Sequence, residues 1–196
     1  MTISRIGVIG AGAWGTALAQ TVRAAGGDVV LWAHEKDVVE TINRTHENPV
    51  FLPGIKLDPA IRATGVLDEA ARADAVFLVT PAQHLRRVSA ALAGTLPLGT
   101  PVVVCAKGIE QGTACLLSEV AAETLPGRPI AVISGPTFAA EVASGLPTAV
   151  TLATRDAKIG EALVAAIGSS RFRPYLTDDV IGAEIGGAVK NVIAIA

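Results

Sequence analysis

The stretch that decides the fold is Arg5-Ile6-Gly7-Val8-Ile9-Gly10-Ala11-Gly12-Ala13-Trp14-Gly15-Thr16-Ala17-Leu18-Ala19, near the start of the 196-residue sequence. An apolar run leads into glycines at the spacing Gly10-x-Gly12-x-x-Gly15, and Ala/Leu-rich helical sequence follows. Gly10 allows a tight turn, Gly12 lets a phosphate approach the backbone, and Gly15 lets the helix pack closely on the strand. The spacing predicts the strand, turn and helix of a dinucleotide-binding unit, with phosphate oxygens at the helix N-terminus.

The rest of the chain alternates strand-like and helix-like segments, which favours this interpretation over a glycine-rich turn in an unrelated α/β protein. The apolar fraction is 51% and the aromatic fraction only 4%, a composition typical of buried parallel strands. We predict an α/β fold with a doubly wound, mostly parallel sheet of the Rossmann type. The predicted strands after the first are 29–33, 61–64, 75–81, 101–106, 130–134, 148–153 and 171–176, and the predicted helices are 14–25, 37–45, 67–72, 84–92, 113–124 and 157–167, with a packed Pro-rich loop at 46–54.

Charge and cysteine content narrow the function classes. The formal net charge is −2 and the basic residues are scattered, so the sequence predicts neither a nucleic-acid partner nor an anionic membrane surface. No apolar run is long enough for a membrane span and no signal-peptide layout is present, so we expect a cytoplasmic protein. Cys105 and Cys115 lie near no His/Cys cluster, so we interpret both as reduced core thiols and expect no metal site.

The end of the second predicted strand bears on the choice of nucleotide. Sites that prefer NAD usually carry an acid there for the ribose 2′-hydroxyl. Here the acid is displaced to Glu35, and it is flanked by His34 and Lys36, which can receive a 2′-phosphate. This arrangement predicts that NADP(H) is tolerated. The alternative for His34 is a solvated loop histidine.

Two later turns have chemistry suited to an anion. Lys107 follows a buried strand and precedes a glycine, where it can meet the nicotinamide or an anionic substrate; a surface lysine is the alternative. The segment Gly135-Pro136-Thr137-Phe138-Ala139 is a second glycine turn before a helix. Thr137 is placed there as an N-cap, and its hydroxyl and the neighbouring N–H groups also suit an anion.

The last stretch, 178–196, is an apolar helix with Asp178 or Asp179 as its cap and Gly186-Gly187 in its middle. A glycine pair costs a helix roughly 1–2 kcal/mol, so we expect close approach of another backbone or a ligand there. Lys190 is the single positively charged residue in this apolar helix and can serve in proton transfer. We predict a dinucleotide-binding domain over 1–177 and the start of a helical second domain over 178–196, with the remainder absent.

Several of these motifs together resemble the bacterial-type NAD(P)-dependent glycerol-3-phosphate dehydrogenases. The resemblance covers the whole chain, and its last two motifs are highly specific. The motifs are Gly10-Ala-Gly-Ala-Trp-Gly15, Val30-Leu-Trp-Ala-His34, Phe51-Leu-Pro-Gly54, Lys107-Gly-Ile-Glu110, Ile133-Ser-Gly-Pro-Thr-Phe-Ala139 and Gly186-Gly-Ala-Val-Lys-Asn-Val-Ile-Ala194.

The resemblance implies a role for each matching residue. The catalytic acid/base would be Lys190, while Gly135 and Thr137, with Lys107 and Lys190, would contact the substrate. The residues implied in binding NADPH or NADH are Gly10, Gly12, Ala13, Trp14, Gly15, His34, Lys107 and Ala139.

The resemblance also implies an activity: interconversion of sn-glycerol 3-phosphate and dihydroxyacetone phosphate with NAD(P)H, which would supply glycerol 3-phosphate for phospholipid synthesis. The family carries a helical C-terminal domain with further substrate ligands, so we expect this chain alone to be weak or inactive. The alternatives are a related dehydrogenase of the 6-phosphogluconate or hydroxyacid kind, and a cofactor-binding module without turnover. The sequence leaves the oligomeric state open, a homodimer included.

Overall fold

The fold is described by a computed structural model that covers the backbone of residues 1–193 and the side chains of residues 1–190. Strands and helices alternate along most of this length. In chain order the elements are β1 (Arg5–Ile9), α1 (Ala13–Ala24), β2 (Asp28–Trp32), α2 (Lys36–Thr45), β3 (Glu47–Asn48), β4 (Leu52–Lys56), β5 (Arg62–Thr64), α3 (Leu67–Ala71), β6 (Ala75–Leu78), a 3-10 turn (Ala82–His84), α4 (Leu85–Leu92), β7 (Val102–Val104), α5 (Leu117–Thr124), β8 (Ile130–Ser134), α6 (Ala139–Ala143), β9 (Thr148–Ala153), α7 (Ala157–Ile167), β10 (Phe172–Thr177) and α8 (Val180–Ile193).

Eight of the strands form one sheet in the order β10-β9-β8-β7-β6-β1-β2-β5. The neighbouring strands run parallel, except that β8 and β9 are antiparallel. The chain builds outward from β1 in one direction through β2 and β5, then returns to place β6 on the other side of β1. The predicted doubly wound, mostly parallel sheet is therefore confirmed. Its topological switch point lies between β1 and β6, where sheets of this kind bind ligands.

Both faces of the sheet are buried, as a doubly wound sheet requires. Successive side chains of β6 show this, since Phe77 packs into one apolar cluster while Val76 and Leu78 pack into the other. The first cluster also contains Leu18 of α1, and the second contains Leu117 of α5. The alternation follows from the two-residue period of a strand, and it places α1 and α5 on opposite faces.

Two predicted segments differ from the structure. The sequence predicts a loop over 46–54, but β3 and β4 pair there as an antiparallel hairpin. Its Leu52 is buried, whereas Phe51 keeps 38% of its surface exposed. The predicted helix at 113–124 begins only at Leu117, because Ala114 has a φ of +58° and the Thr113 hydroxyl donates to Glu110 Oε2 over 2.6 Å.

The two cysteines lie in different surroundings. Cys105 is buried at the end of β7, and burial raises the pKa of its thiol. Cys115 lies in the turn before α5, not in a helix as predicted, and it is half-buried against the core. Neither thiol is in a disulfide.

Helix α8 begins as predicted, because Asp179 Oδ1 accepts a hydrogen bond of 2.8 Å from the Gly182 backbone N–H. It lies against β8 and β9. The end of the predicted helix, residues 194–196, lies outside the described part of the chain, and the domain boundary at 177/178 stays a prediction. Among the helices of residues 1–193, none has the length and apolar character needed to cross a bilayer.

Candidate functional site

A cavity of about 850 Å³ opens at the carboxyl edge of the sheet. Its walls come from the glycine turn after β1, the ends of β2, β6 and β7, the first turn of α4 and the turn before α6. The lining residues are Gly10, Ala11, Gly12, Ala13, Trp14, Gly15, Trp32, His34, Glu35, Phe51, Val79, Thr80, Pro81, Ala82, His84, Arg87, Val88, Cys105, Ala106, Lys107, Thr137, Phe138 and Ala139. The cavity therefore occupies the switch point between β1 and β6.

The glycine turn after β1 has the three properties that its spacing predicts. Gly10 has a φ of +121°, and a Cβ there would lie 3.0 Å from the Val79 backbone. A Cβ at Gly15 would overlap the Gly10 carbonyl oxygen, so close packing of α1 on β1 requires glycine at this position. Around Gly12 the corresponding space is open. The turn is thus closed on the protein side and open toward the cavity.

The N-terminus of α1 is well placed to meet an anion. Gly12 is its N-cap residue, and no side chain of the described residues caps it. The helix runs for 12 residues, so the aligned peptide dipoles and the N–H groups of its first turn favour negative charge at this end.

The β3–β4 hairpin supports the same turn through Asn48, which is buried. Its Nδ2 donates to the Ala11 carbonyl oxygen and to Thr16 Oγ1, both over 2.8 Å. Thr16 Oγ1 in turn donates to the Ala11 carbonyl oxygen over 3.3 Å. Sequence reasoning missed Asn48, because the loop predicted at 46–54 gave no reason to place its side chain under the turn 32 residues or more before it.

Two polar atoms of the cavity lining have no hydrogen-bond partner among the described residues: Trp14 Nε1 and Thr80 Oγ1. Both atoms are buried, and buried polar groups are normally hydrogen-bonded. Unpartnered donors beside an open glycine turn fit a polar ligand in the cavity.

The end of β2 forms another part of the wall. His34 lines the cavity, and its ring centroid lies 6.2 Å from that of Trp32. Glu35 lines it too, whereas Lys36 is not among the lining residues. From α4 and its preceding turn, His84 and Arg87 face the same cavity. The only sequence signal for this pair is its three-residue spacing just after a strand that ends at the ligand-binding edge.

Lys107 connects the end of β7 to the second glycine turn. Its Nζ donates a hydrogen bond of 2.9 Å to the Gly135 carbonyl oxygen. Part of the side chain is exposed, yet desolvation of the ammonium group and then the positive charge of Lys190 lower the pKa of Lys107. Thr137 and Ala139 of the same turn line the cavity. Gly135 does not line it, but its carbonyl oxygen binds Lys107, which does. The structure therefore places Lys107 beside the second glycine turn.

The second turn differs from the prediction in one respect. The N-cap residue of α6 is Phe138, with no side-chain capping bond, so the interpretation of Thr137 as an N-cap is wrong. α6 is only five residues long. A helix capped by Thr137 would have to begin at Phe138. Phe138 is instead extended, with a φ of −105° and a ψ of 133°, so the helix begins one residue later, at Ala139.

Lys190 reaches this region from α8. Its Nζ lies 5.5 Å from the centroid of the Phe138 ring, and 66% of the Phe138 surface is exposed. The close approach of α8 depends on Gly187, where a Cβ would come within 2.7 Å of Ser134 Oγ and 3.7 Å of Lys107 Cγ. The expected close contact is confirmed for Gly187, while the space around Gly186 is open. The structure thus brings Lys107, Lys190 and Phe138 together.

A parallel sheet with an open glycine turn and a cavity at its switch point defines a dinucleotide-binding protein of the Rossmann class. A family model described as "NAD-dependent glycerol-3-phosphate dehydrogenase N-terminus" matches residues 5–160. The chain belongs to this family, and the resemblance of its motifs is confirmed.

Relatives and solved structures agree with this assignment. The chain is 62% identical to the glycerol-3-phosphate dehydrogenase [NAD(P)+] of Parvibaculum lavamentivorans, over 98% of this chain and 58% of that protein. It is 61% identical to the protein of the same name from Paramagnetospirillum magneticum, over 99% of this chain and 70% of that protein. The crystal structure of glycerol-3-phosphate dehydrogenase from Coxiella burnetii superposes with a TM-score of 0.92 at 36% identity, over 98% of this chain and 59% of that one. The chain therefore spans 58–70% of the length of these two relatives.

Proposed function

We propose that the protein, at its full natural length, is an NAD(P)-dependent oxidoreductase that interconverts sn-glycerol 3-phosphate and dihydroxyacetone phosphate. The proposal depends on one observation: Lys107 and Lys190 lie close enough beside the second glycine turn for the charge of Lys190 to lower the pKa of Lys107. Lys107 also lines the cavity that the first glycine turn lines. The two relatives are named as glycerol-3-phosphate dehydrogenases that use NAD(P)+, which supports the proposal.

The cofactor would be NADPH or NADH, held with its diphosphate at the first turn. Gly10, Gly12 and Gly15 shape this turn, and the N–H groups of Ala13 and Trp14 lie at the N-terminus of α1. The open space at Gly12 and the unpartnered Trp14 Nε1 and Thr80 Oγ1 support the fit of a polar nucleotide. His34 would lie by the adenosine ribose, and Ala139 and Lys107 would also contact the cofactor.

Lys190 would act as the catalytic acid/base. The nicotinamide, when bound, supplies or accepts the hydride. Reduction of a ketone also requires a proton at the carbonyl oxygen, and a lysine ammonium can donate that proton while stabilising the negative charge that develops there. In the opposite direction the neutral amine of Lys190 accepts the proton of the substrate hydroxyl.

The substrate is a dianionic phosphate ester, and the second turn offers it a cation and polar groups. Lys107 would orient the substrate, with Thr137 and the backbone of Gly135 at its phosphate end. Lys107 lines the dinucleotide cavity, and the charge of the neighbouring Lys190 contributes to lowering its pKa. Among the described residues, no carboxylate forms an ion pair with Lys107.

Further proposals concern organisation and setting. Residues 1–177 would form the dinucleotide-binding domain, and 178–196 would begin a helical domain that supplies further substrate ligands. The protein would act in the cytoplasm, where the glycerol 3-phosphate that it forms would supply phospholipid synthesis. Its binding partner would be a small-molecule substrate and not nucleic acid. A homodimer is an additional proposal, which the elution volume in gel filtration tests.

The test is oxidation of NADPH and NADH, followed at 340 nm, with dihydroxyacetone phosphate as substrate and the protein at its full natural length. We expect turnover that requires this substrate, with little or none on 6-phosphogluconate with NADP⁺ or on small 2-keto acids. Preference for one of those substrates would replace the proposal by the related-dehydrogenase alternative. Enhanced nicotinamide fluorescence without turnover on any substrate would replace it by a cofactor-binding module.

A further inference from the structure

Glu184 is a buried carboxylate on α8 that the proposed chemistry does not use. Only 6% of the residue is exposed. Its Oε1 accepts a hydrogen bond of 2.9 Å from the Ser118 backbone N–H, and its Oε2 accepts one from the Ser118 hydroxyl. Ser118 is the second residue of α5. One side chain of α8 therefore holds the beginning of α5, across 66 positions of the chain.

The position of this carboxylate is explained by the N-terminus of α5. The first N–H groups of a helix have no partner within the helix, and the helix dipole favours negative charge there. Burial raises the pKa of Glu184, while the hydrogen bonds from Ser118 act in the opposite direction. The other buried carboxylate of the described residues, Glu110, forms an ion pair with Arg86. The hydrogen-bond partner of Glu184 is instead Ser118 at the N-terminus of α5, so its carboxylate is held at that end of the helix.

The same side of α8 carries the residues that reach the site. Gly187 and Lys190 follow Glu184 at intervals of three residues, which places them along one side of a helix. Gly187 lies against Ser134 Oγ and Lys107 Cγ, and Glu184 and Gly187 line one small crevice with Lys107. The contact of Glu184 with α5 thus fixes α8 three residues before Gly187 packs against Ser134 and Lys107, and six residues before Lys190.

We propose that Glu184 is a positioning residue: its bonds to Ser118 hold α8 so that the Lys190 ammonium lies beside Lys107 and over the Phe138 ring. The inference rests on the proposed function in that Lys190 is the proton donor. Its structural part, the placement of Lys190, can be tested without any turnover.

The first readout is the reactivity of Lys107 toward an acylating reagent, measured by mass spectrometry as a function of pH in the protein at its full natural length. The reaction rate follows the neutral fraction of the amine. Because the charge of Lys190 lowers the pKa of Lys107, Lys190→Met should reduce the reactivity of Lys107 at pH 8 by roughly two- to five-fold. Glu184→Ala should reduce it in the same direction and to a similar extent, since α8 is released.

The matched control is Glu119→Ala, which removes another carboxylate from the start of α5. Glu119 Oε2 accepts a hydrogen bond of 2.8 Å from the N–H of Leu116, the N-cap residue of α5, and has no hydrogen bond to the described residues of α8. Besides burial, the charge of Glu119 raises the pKa of Glu184, so removing it favours the ionised Glu184 that Ser118 binds. This variant should leave the Lys107 profile unchanged. An equal shift in Glu119→Ala would mean general loosening of α5 and would overturn the proposal, as would an unchanged profile in Glu184→Ala or in Lys190→Met.

Two milder variants keep the test decisive if Glu184→Ala does not fold. Glu184→Gln retains one oxygen acceptor for the Ser118 N–H, and Ser118→Ala removes only the hydroxyl bond. Both should shift the Lys107 profile less than Lys190→Met but in the same direction. If neither shifts it, the proposal is wrong.

The second readout is the division of the effect between kcat and affinity. Glu184→Ala should lower kcat at least roughly ten-fold and leave the Kd for NADPH unchanged, with partial rescue in Glu184→Gln. An equal loss of NADPH affinity would indicate general damage and contradict the positioning role. If the wild-type protein has no turnover at all, the proposed function fails, while the Lys107 profile still decides the placement of Lys190.

Discussion

The two glycine turns of this chain look alike in sequence but are built differently. The first, at Gly10–Gly15, leads into a helix of 12 residues, and the second, at Gly135–Ala139, leads into a helix of five. Backbone contacts shape the first turn, since a Cβ at Gly15 would overlap the Gly10 carbonyl oxygen. The second is organised by a side chain, because the Gly135 carbonyl oxygen accepts a hydrogen bond from Lys107.

This difference separates two tasks. A long helix with an open N-terminus favours negative charge through fixed dipoles, which do not depend on pH and suit a diphosphate. The second turn has a short helix but brings together two lysines whose charges influence each other. We therefore assign binding of the dinucleotide to the first turn and proton transfer to the neighbourhood of the second. Substitutions in the first turn should therefore mainly lower the affinity for NADPH, and substitutions near the second should mainly lower kcat.

The largest effect is expected for Lys190→Met. This variant removes the proposed proton donor, so kcat for dihydroxyacetone phosphate should fall by roughly 10²–10⁴-fold. The Kd for NADPH, measured by nicotinamide fluorescence, should stay within about two-fold of wild type, because Lys190 does not line the cavity. Lys158→Met, an exposed lysine in the first turn of α7, is the control. Near-normal turnover in Lys190→Met would contradict the assignment of proton transfer to Lys190.

Gly15→Ala should damage the first turn itself. Its Cβ would overlap the Gly10 carbonyl oxygen, so α1 has to move away from β1. We expect a loss of about 1–3 kcal/mol in the free energy of unfolding, measured by urea denaturation, together with loss of NADPH binding. Unchanged stability would show that the close packing of strand and helix is not required.

Gly12→Ala is the contrasting substitution within the same turn. The space where its Cβ would project is open, and the residue has a φ of −66°, which alanine adopts readily. The unfolding free energy should change by less than about 1 kcal/mol. The Cβ would occupy the approach to the diphosphate, so NADPH affinity should drop at least roughly ten-fold in a fluorescence titration. Full affinity in Gly12→Ala would contradict the placement of the diphosphate.

The smallest effect concerns pH. Because desolvation and Lys190 lower the pKa of Lys107 from 10.5, Lys107 loses its positive charge at a lower pH than an ordinary lysine. Affinity for glycerol 3-phosphate, measured by calorimetry, should therefore fall as the pH rises through this lowered pKa, and Lys190→Met should move the fall to higher pH. A fall that stays in place in Lys190→Met would show that the two lysines do not interact.

The sequence predicted what is encoded over short distances. The spacing from Gly10 to Gly15 determines a local turn, and Asp179 caps α8 by accepting a hydrogen bond from the N–H three residues ahead, so both are predictable from the sequence. The start of α5 was predicted too early, because a bond between Thr113 and Glu110 stabilises a turn where the residue pattern favours helix. The sequence predicts a loop where β3 and β4 form a hairpin, since these residues carry strong turn signals.

Contacts between distant segments could not be predicted. Asn48 reaches the carbonyl oxygen of Ala11 across 37 positions, and Glu184 reaches Ser118 across 66. No periodicity relates such residues, so their roles become visible only when the sheet order is known. The same holds for Phe138, whose position near Lys190 follows from the place of α8 against β8.

The most direct test of the division between the two turns is a crystal structure of the protein at its full natural length with NADPH bound. We predict diphosphate oxygens within hydrogen-bond distance of the N–H groups of Ala13 and Trp14, with the nicotinamide on the side of Lys107. Diphosphate density at the Gly135–Ala139 turn, with the Gly10–Gly15 turn free of the cofactor, would contradict the account.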